Sequence, residues 1–360
     1  MKKDTVLLVI FMLVPCFIKS DTVKVLIYSD RCGNDIQVKH LETGRTIRKE
    51  GCIGRGKYLF SSKNSERRVR GILFVKKTGR CSRFYIEMDT EYYVACVLAG
   101  EFNHEMFNIN AARALSVVIR TFVYENKKRH KDFDFCEFTH CQRFKGEPRN
   151  FAMWEEITRS TEGEILVKGK IFKKKIAFYS ACCGGYIEEP ESVWGNENKR
   201  FKSDYYGGIT LCAGHHYYRW KKEINSKEIA EVLSEMLRIA VNDILDFSIY
   251  KILPSGRVKK IKIIYRSNNR VRKEVVGAER FFSEFGKKYH WARVPSRLFA
   301  VSKRGNKFIL YGKGQGHGVG LCMAGASEMG RMGVGYREIL RHYFPGAEIR
   351  QVRNVVFKNR

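Results

Sequence analysis

Beyond Ile18 the chain contains no run of eighteen uncharged apolar residues, so no later segment reads as a membrane-spanning helix. It has no Walker-type Gly-Lys-Ser/Thr, no zinc-finger spacing and no RNA-binding aromatic signature, which removes the usual nucleotide and nucleic-acid motifs. Neither a repeat array nor a disordered tail is present. Acidic residues are scarce: 38 Asp and Glu stand against 67 Lys and Arg, a formal net charge of +29. That balance attracts polyanions, whether nucleic acid, anionic lipid or wall polymers bearing carboxylates. The basic residues are spread over many runs, as in Lys127-Lys128-Arg129, Lys173-Lys174-Lys175 and Arg257 to Arg272, each reading as a solvated face. Direct nucleic-acid recognition is therefore disfavoured.

What remains is a globular balance, with 44% hydrophobic and 29% charged residues over 360 positions, enough for one large domain or two lobes. Lys2 and Lys3 precede the apolar run Val6 to Ile18, and small Ser20 follows it. Residues 1–20 thus read as a signal peptide or N-terminal anchor, and export to the periplasm or cell envelope is expected. Without them the chain keeps 64 basic and 37 acidic residues, or +27. Eleven cysteines suit an oxidising compartment, with Cys32, Cys52 and Cys81 as candidates for disulfides. Vicinal Cys182-Cys183 reads as two small buried residues or as a redox pair.

Residues 22–28 read as a strand, followed by a β-rich part up to about residue 90. Helices are predicted over 92–101, 110–128, 151–162 and 227–239; in the second, Ala112, Leu115, Val118, Ile119 and Phe122 form an apolar stripe. Strands are predicted near 163–168, 171–180, 247–252, 258–265 and 271–276, with helices again over 319–332 and 335–343. Mixed runs without βαβ regularity predict an α+β fold. We take 21–90 as its β-rich N-terminal part and 91–360 as a two-lobed core around a cleft.

Three constellations carry chemistry. His130, Cys136, His140 and Cys141 offer two imidazoles and two thiols within twelve residues, enough for a closed tetrahedral Zn²⁺ site. Spacing alone does not separate that reading from a disulfide or buried thiols beside surface histidines. Glu101 closes the apolar run Tyr92 to Gly100. A carboxyl at a helix C-terminus meets an unfavourable dipole, and burial would push it further toward the protonated form that a general acid needs. Glu105, four residues on, is its rival. Finally, Gly312 to Gly320 carries five glycines around His317 before a helix, which lets the backbone approach another surface or a ligand closely.

In order along the chain, these segments resemble the SpoIID family of peptidoglycan lytic transglycosylases. Tyr93-Val94-Ala95-Cys96-Val97-Leu98-Ala99-Gly100-Glu101 is similar to its aromatic-Val-x-Gly-Val-Val-x-Ser-Glu run. Ser116 to Phe122 resembles its Ala-x-Ala-Ala-Arg-Thr-Tyr helix, and Thr139 to Gly146 its Thr-His-Cys-Gln-x-Tyr-x-Gly. Gly184-Gly185, Val193-Trp194-Gly195, Gly277 to Arg280, Gly314 to Gly320 and Ile339 to Gly346 follow in the family's order. The resemblance implies that Glu101 is the sole catalytic acid/base and that His130, Cys136, His140 and Cys141 bind a structural Zn²⁺. It further implies a glycan site to which we assign Arg120, Gln142, Gly184, Gly185 and His317. The implied substrate is peptidoglycan strands stripped of stem peptides, with an amidase that strips them as partner. No separate wall-binding repeat is present, so the fold itself is expected to contact glycan.

Two departures stand out. The family's Ser-Gly-Gly-x-Thr reads Cys183-Gly184-Gly185-Tyr186-Ile187 here, and its Ser-Gln-Tyr reads Cys322-Met323-Ala324. The lost hydroxyls and amide leave open an alternative from another class, a non-catalytic glycan-binding protein that recruits or enhances an amidase.

Overall fold

The computed structural model describes residues 21–28, 35–102, 106–138, 140–169, 175–195 and 201–355. The N-terminal segment 1–20, Cys32 and Glu105 lie outside these residues. The mixture of helices with several separate sheets is the expected α+β fold.

The N-terminal part is a sheet built from β1 (Thr22–Ile27), β2 (Gln37–His40), β3 (Gly51–Ser62), β4 (Ser65–Thr78), β5 (Cys81–Asp89) and β6 (Phe135–Cys136), in the order β2-β3-β4-β5-β1-β6. Along β4, Val69, Gly71, Leu73 and Val75 alternate inward, the period-2 pattern of a half-buried strand. All neighbours are antiparallel except β6, which joins β1 in parallel, Val25 facing Phe135 and Leu26 facing Cys136. Asp134 secures that edge. Its carboxylate accepts from the backbone N–H groups of Lys24 and Lys128, each at 2.8 Å.

Helix α1 (Thr90–Glu101) starts directly from β5. The Asp89 side chain caps it by accepting from the N–H groups of Glu91 and Tyr92 at 2.8 and 3.2 Å. Every residue from Tyr92 to Leu98 is buried, as befits a helix apolar on all sides. Against it lie α2 (Ile109–Asn126), capped by Asn108, and α3 (Phe151–Arg159). The stripe predicted on α2 is buried throughout. After the short α4 (Pro190–Trp194) the chain leaves this core near Cys212 and re-enters it at Leu321, where α7 (Met323–Arg331) and α8 (Tyr336–Tyr343) complete it.

Between those points lies a second hydrophobic core. Strands Trp220–Asn225, Leu298–Arg304 and Lys307–Lys313 form one antiparallel sheet, and Asp243–Ile252, Val258–Ser267 and Arg270–Gly277 another. Helices α5 (Ser226–Leu237) and α6 (Ala278–Tyr289) pack against them. Ile224, Phe247, Phe281, Phe285 and Phe308 fill the space between. Within 91–360, taken as a two-lobed core, this lobe has an interior of its own. Helix α6 was absent from the sequence reading, although Phe281, Phe282, Phe285 and Tyr289 carry a helical apolar spacing.

Phe281→Ala should empty part of this second core and cost about 3–5 kcal/mol. The loss should appear in the denaturant midpoint followed by fluorescence of Trp220, which sits in the same core.

Candidate active site and metal centre

Three chain segments meet at the end of α1. Glu101 is its last residue, and Oε1 accepts from the backbone N–H of Arg143 at 3.0 Å and from the Tyr179 hydroxyl at 2.8 Å. Among the described residues, Oε2 carries no hydrogen bond. Gly100 permits the approach, since a Cβ there would overlap the carbonyl oxygen of Arg143. Burial raises the Glu101 pKa above 4.5, opposed by these two hydrogen bonds and by the charges of Arg143 and Lys145. The C-terminal dipole of α1 acts in the same direction as burial. Residue 101 remains half-buried, so the carboxyl is enclosed without being sealed off.

Arg143 follows immediately on the Cys/His loop. His130 Nε2 lies 3.3 Å from Cys141 Sγ, Cys136 Sγ lies 3.2 Å from His140 Nε2, and the two sulfurs are 3.6 Å apart. All four donor atoms fall within 4.8 Å of one another. A tetrahedral Zn²⁺ with its usual bond lengths needs S–S and N–S edges of about 3.5–3.8 Å, and a disulfide needs about 2 Å. The donor set and its spacing therefore fit a closed four-ligand zinc site, and the two thiols are not bonded to each other. Tyr93 of α1 is sandwiched between Phe135 and Phe144 at 5.4 and 5.6 Å, which docks both ends of the loop on the helix that carries Glu101.

Tyr179 was not foreseen. It sits on the two-residue strand Tyr179–Ser180, which pairs in parallel with Leu321–Cys322. The Gly-rich loop lies alongside. His317 Nδ1 accepts from the N–H of Val319 at 3.0 Å, and the imidazole also hydrogen-bonds the Tyr179 backbone. Burial, with Arg297 and Arg257 nearby, lowers its pKa to about 3, so the ring is neutral at ordinary pH. The neutral ring thus bridges the Val319 N–H and the Tyr179 backbone. Trp194 lies beside it, 5.1 Å from the imidazole and stacked on Phe178 at 4.9 Å, with 45% of its surface exposed.

Other residues assigned to the glycan do different work. Arg120 is fully buried: Nε donates to Glu91 Oε1 at 2.7 Å, Nη2 to Glu91 Oε2 at 2.5 Å, and Nη1 to the carbonyl of Glu164 at 3.0 Å. Those partners tie α2 to the start of α1, and the guanidinium is withdrawn from Glu101 and from any ligand. Gly184 and Gly185 are buried with positive φ, where Gly184 packs against the backbone of Lys313 and Gly314. They let two loops close on each other rather than face solvent. Gln142 is buried too, its Nε2 at 3.4 Å from the Tyr179 hydroxyl. Of the expected cysteine pairings, Cys81 is disulfide-bonded while Cys52 is a free, exposed thiol.

Residues 82–167, which carry the acid and the Cys/His loop, match the profile of the Stage II sporulation protein family, SpoIID. This segment is a SpoIID domain. Residues 211–320 match a second profile, a domain of unknown function (DUF8618), and that span coincides with the inserted lobe. An uncharacterized protein of Brachyspira hyodysenteriae is 27% identical over 268 residues, covering 73% of this chain and 67% of that protein. The SpoIID match supports a sporulation- or cell-wall-related function.

Removing the Arg120 guanidinium leaves a partly buried Glu91 without its partner. We expect Arg120→Met to lower stability by about 3 kcal/mol. Calorimetry of the purified variant reads that loss, which a purely glycan-holding Arg120 would not produce.

Proposed function

We propose that this protein is a peptidoglycan lytic transglycosylase acting on glycan stripped of its stem peptides, with Glu101 as both acid and base. The observation that carries the reading is the carboxyl at the end of α1, held through one oxygen by Arg143 and Tyr179 and biased by burial toward protonation. In its protonated form Glu101 donates to the glycosidic oxygen between N-acetylmuramic acid and N-acetylglucosamine as the C1–O bond breaks. The muramyl 6-hydroxyl closes on C1, and its proton returns to the Glu101 carboxylate, leaving a 1,6-anhydro end with no water consumed. A single carboxyl suffices for this sequence, unlike the paired acids of ordinary glycosidases.

His130, Cys136, His140 and Cys141 would hold Zn²⁺ with all four positions taken by protein, so its contribution is to fix the loop. That loop fixes Arg143, and Arg143 aims Glu101. Exposed Trp194 offers an apolar face to a sugar ring beside the acid's partners. The positive excess of the chain suits strands bearing lactyl carboxylates. Export to the envelope, and an amidase that prepares the substrate, belong to the same proposal.

Glu101→Gln should fold and retain metal yet release no anhydro products from stripped glycan, as read by mass spectrometry. Absence of anhydro ends with the unaltered protein, together with retained glycan binding, would favour the amidase-recruiting binder instead. Full activity of Glu101→Gln would transfer the acid's role elsewhere.

The pH dependence has a definite sign. A general acid works below its pKa, and burial raises that of Glu101, so kcat/KM should fall as pH climbs through the raised value. The Tyr179 hydroxyl favours the carboxylate form. Tyr179→Phe should therefore move the falling limb upward by about one pH unit, in addition to lowering the rate.

A further inference from the structure

A second convergence of donors lies on the far side of the Tyr179 strand. Cys183, Asp204, Cys212 and Cys322 come from four separated stretches of chain, and their donor atoms all lie within 4.8 Å of one another. Each residue is at most 1% exposed. Cys183 Sγ is 3.6 Å from Cys212 Sγ and 3.0 Å from Asp204 Oδ2. We propose that these four residues bind a second zinc ion, as a mononuclear site with three thiolates and one carboxylate.

Several features argue for a metal over inert packing. The sulfur separation matches the edge of a zinc tetrahedron, about 3.8 Å, and is far longer than a disulfide bond. All four donor atoms lie within 4.8 Å of one another, closer together than the thiolates on different irons of an iron–sulfur cluster. Cys322 is the N-cap of α7, and its sulfur accepts from the N–H groups of Cys183 and Gly325 at 3.3 and 3.4 Å, which fixes it facing the other donors. Asp204 has an outer partner of the kind that orients metal ligands: Oδ1 accepts from the Tyr343 hydroxyl at 3.0 Å. The Nε2 atom of His342 stands 3.6 Å from that same oxygen, buried and without a hydrogen bond among the described residues.

Charge points the same way. A fully buried carboxylate among thiols is costly without a cation, and the His342 imidazole at 3.6 Å supplies one only when protonated. The buried guanidinium of Arg257 donates to the Cys183 carbonyl at 2.5 Å, which places positive charge at the rim but not on Asp204. Two cysteines of the set, Cys183 and Cys322, occupy positions where the SpoIID pattern carries serine. Both departures therefore converge on one point in space, with Cys212 contributed from the start of the inserted lobe. Four protein ligands leave no open position, so the ion would be a staple joining that lobe, α7 and the Tyr179 strand.

The proposal stands independently of the transglycosylase reading, because its test measures metal and not activity. Elemental analysis with native mass spectrometry on the whole protein should give two zinc ions per chain. The double variant Cys183→Ser, Cys322→Ser restores the residues of the family pattern and should hold one ion with an unchanged circular dichroism spectrum. Cys136→Ser, Cys141→Ser should hold only the other. Cobalt substitution supplies a readout that needs no variant: sulfur-to-cobalt charge transfer should have the intensity of five thiolates at full loading, against two for the Cys/His loop alone. A single zinc that is lost with Cys136 and Cys141 and insensitive to Cys183 and Cys322 would overturn the proposal. So would a disulfide among Cys182, Cys183, Cys212 and Cys322, seen as the loss of two hydrogens beyond those of the Cys81 disulfide in the intact mass, or a cobalt spectrum of two thiolates at saturation.

Discussion

Glu101 Oε1 accepts two hydrogen bonds, and each comes from a different part of the chain. The Arg143 N–H is delivered by the Cys/His loop, whose edge strand β6 is added in parallel to β1 and whose ends clasp Tyr93. The Tyr179 hydroxyl is delivered by a two-residue ladder with Leu321–Cys322, steadied by His317. Helix α1 supplies the carboxyl itself and, through its burial on all sides, a fixed direction. Were either donor to drift, the carboxyl would keep its burial but lose its aim, and proton transfer depends on aim as much as on acidity.

The sequence disclosed the first half of this arrangement better than the second. The apolar run ending in Glu101 and the spacing of His130, Cys136, His140 and Cys141 are local patterns, and a local pattern survives folding with its geometry nearly intact. Tyr179 left no such trace, because its position depends on a pairing with residues far along the chain. Arg120 sits in a stretch that resembles a family motif, yet its helix faces the interior and the guanidinium meets Glu91 and backbone carbonyls. Gly184 and Gly185 were read as ligand-facing for the same reason, yet both have positive φ, and Gly184 packs against the Lys313–Gly314 backbone while Gly185 packs beside Thr210 and Tyr218. Motif order reveals which residues belong together, whereas burial decides what each of them does.

The inserted lobe shows where pattern reading loses resolution. Its strands Val258–Ser267 and Arg270–Gly277 were legible despite their basic exposed faces, whereas Trp220–Asn225, Leu298–Arg304, Lys307–Lys313 and helix α6 were not. A separate interior, with six phenylalanines among its buried residues, marks it as a unit, and the second profile match spans the same stretch. The lobe departs beside Cys212 and returns beside Cys322, so its entry and exit are neighbours in space. That closeness explains how such a body can interrupt the SpoIID-type core without disturbing the strands and helices on either side.

The parallel pairing of Tyr179 with Leu321 has a consequence for how the molecule comes into being. A growing chain emerges from its N-terminus, so the acid and its Cys/His loop can assemble while everything after residue 180 is still unmade. The partner strand arrives only once the whole inserted lobe has been synthesised, and contacts so distant in sequence close late and slowly. Until then Glu101 has one of its two donors. The order of synthesis thereby delays the aiming of Glu101 until Leu321 and Cys322 have been made, so this site stays incomplete before then.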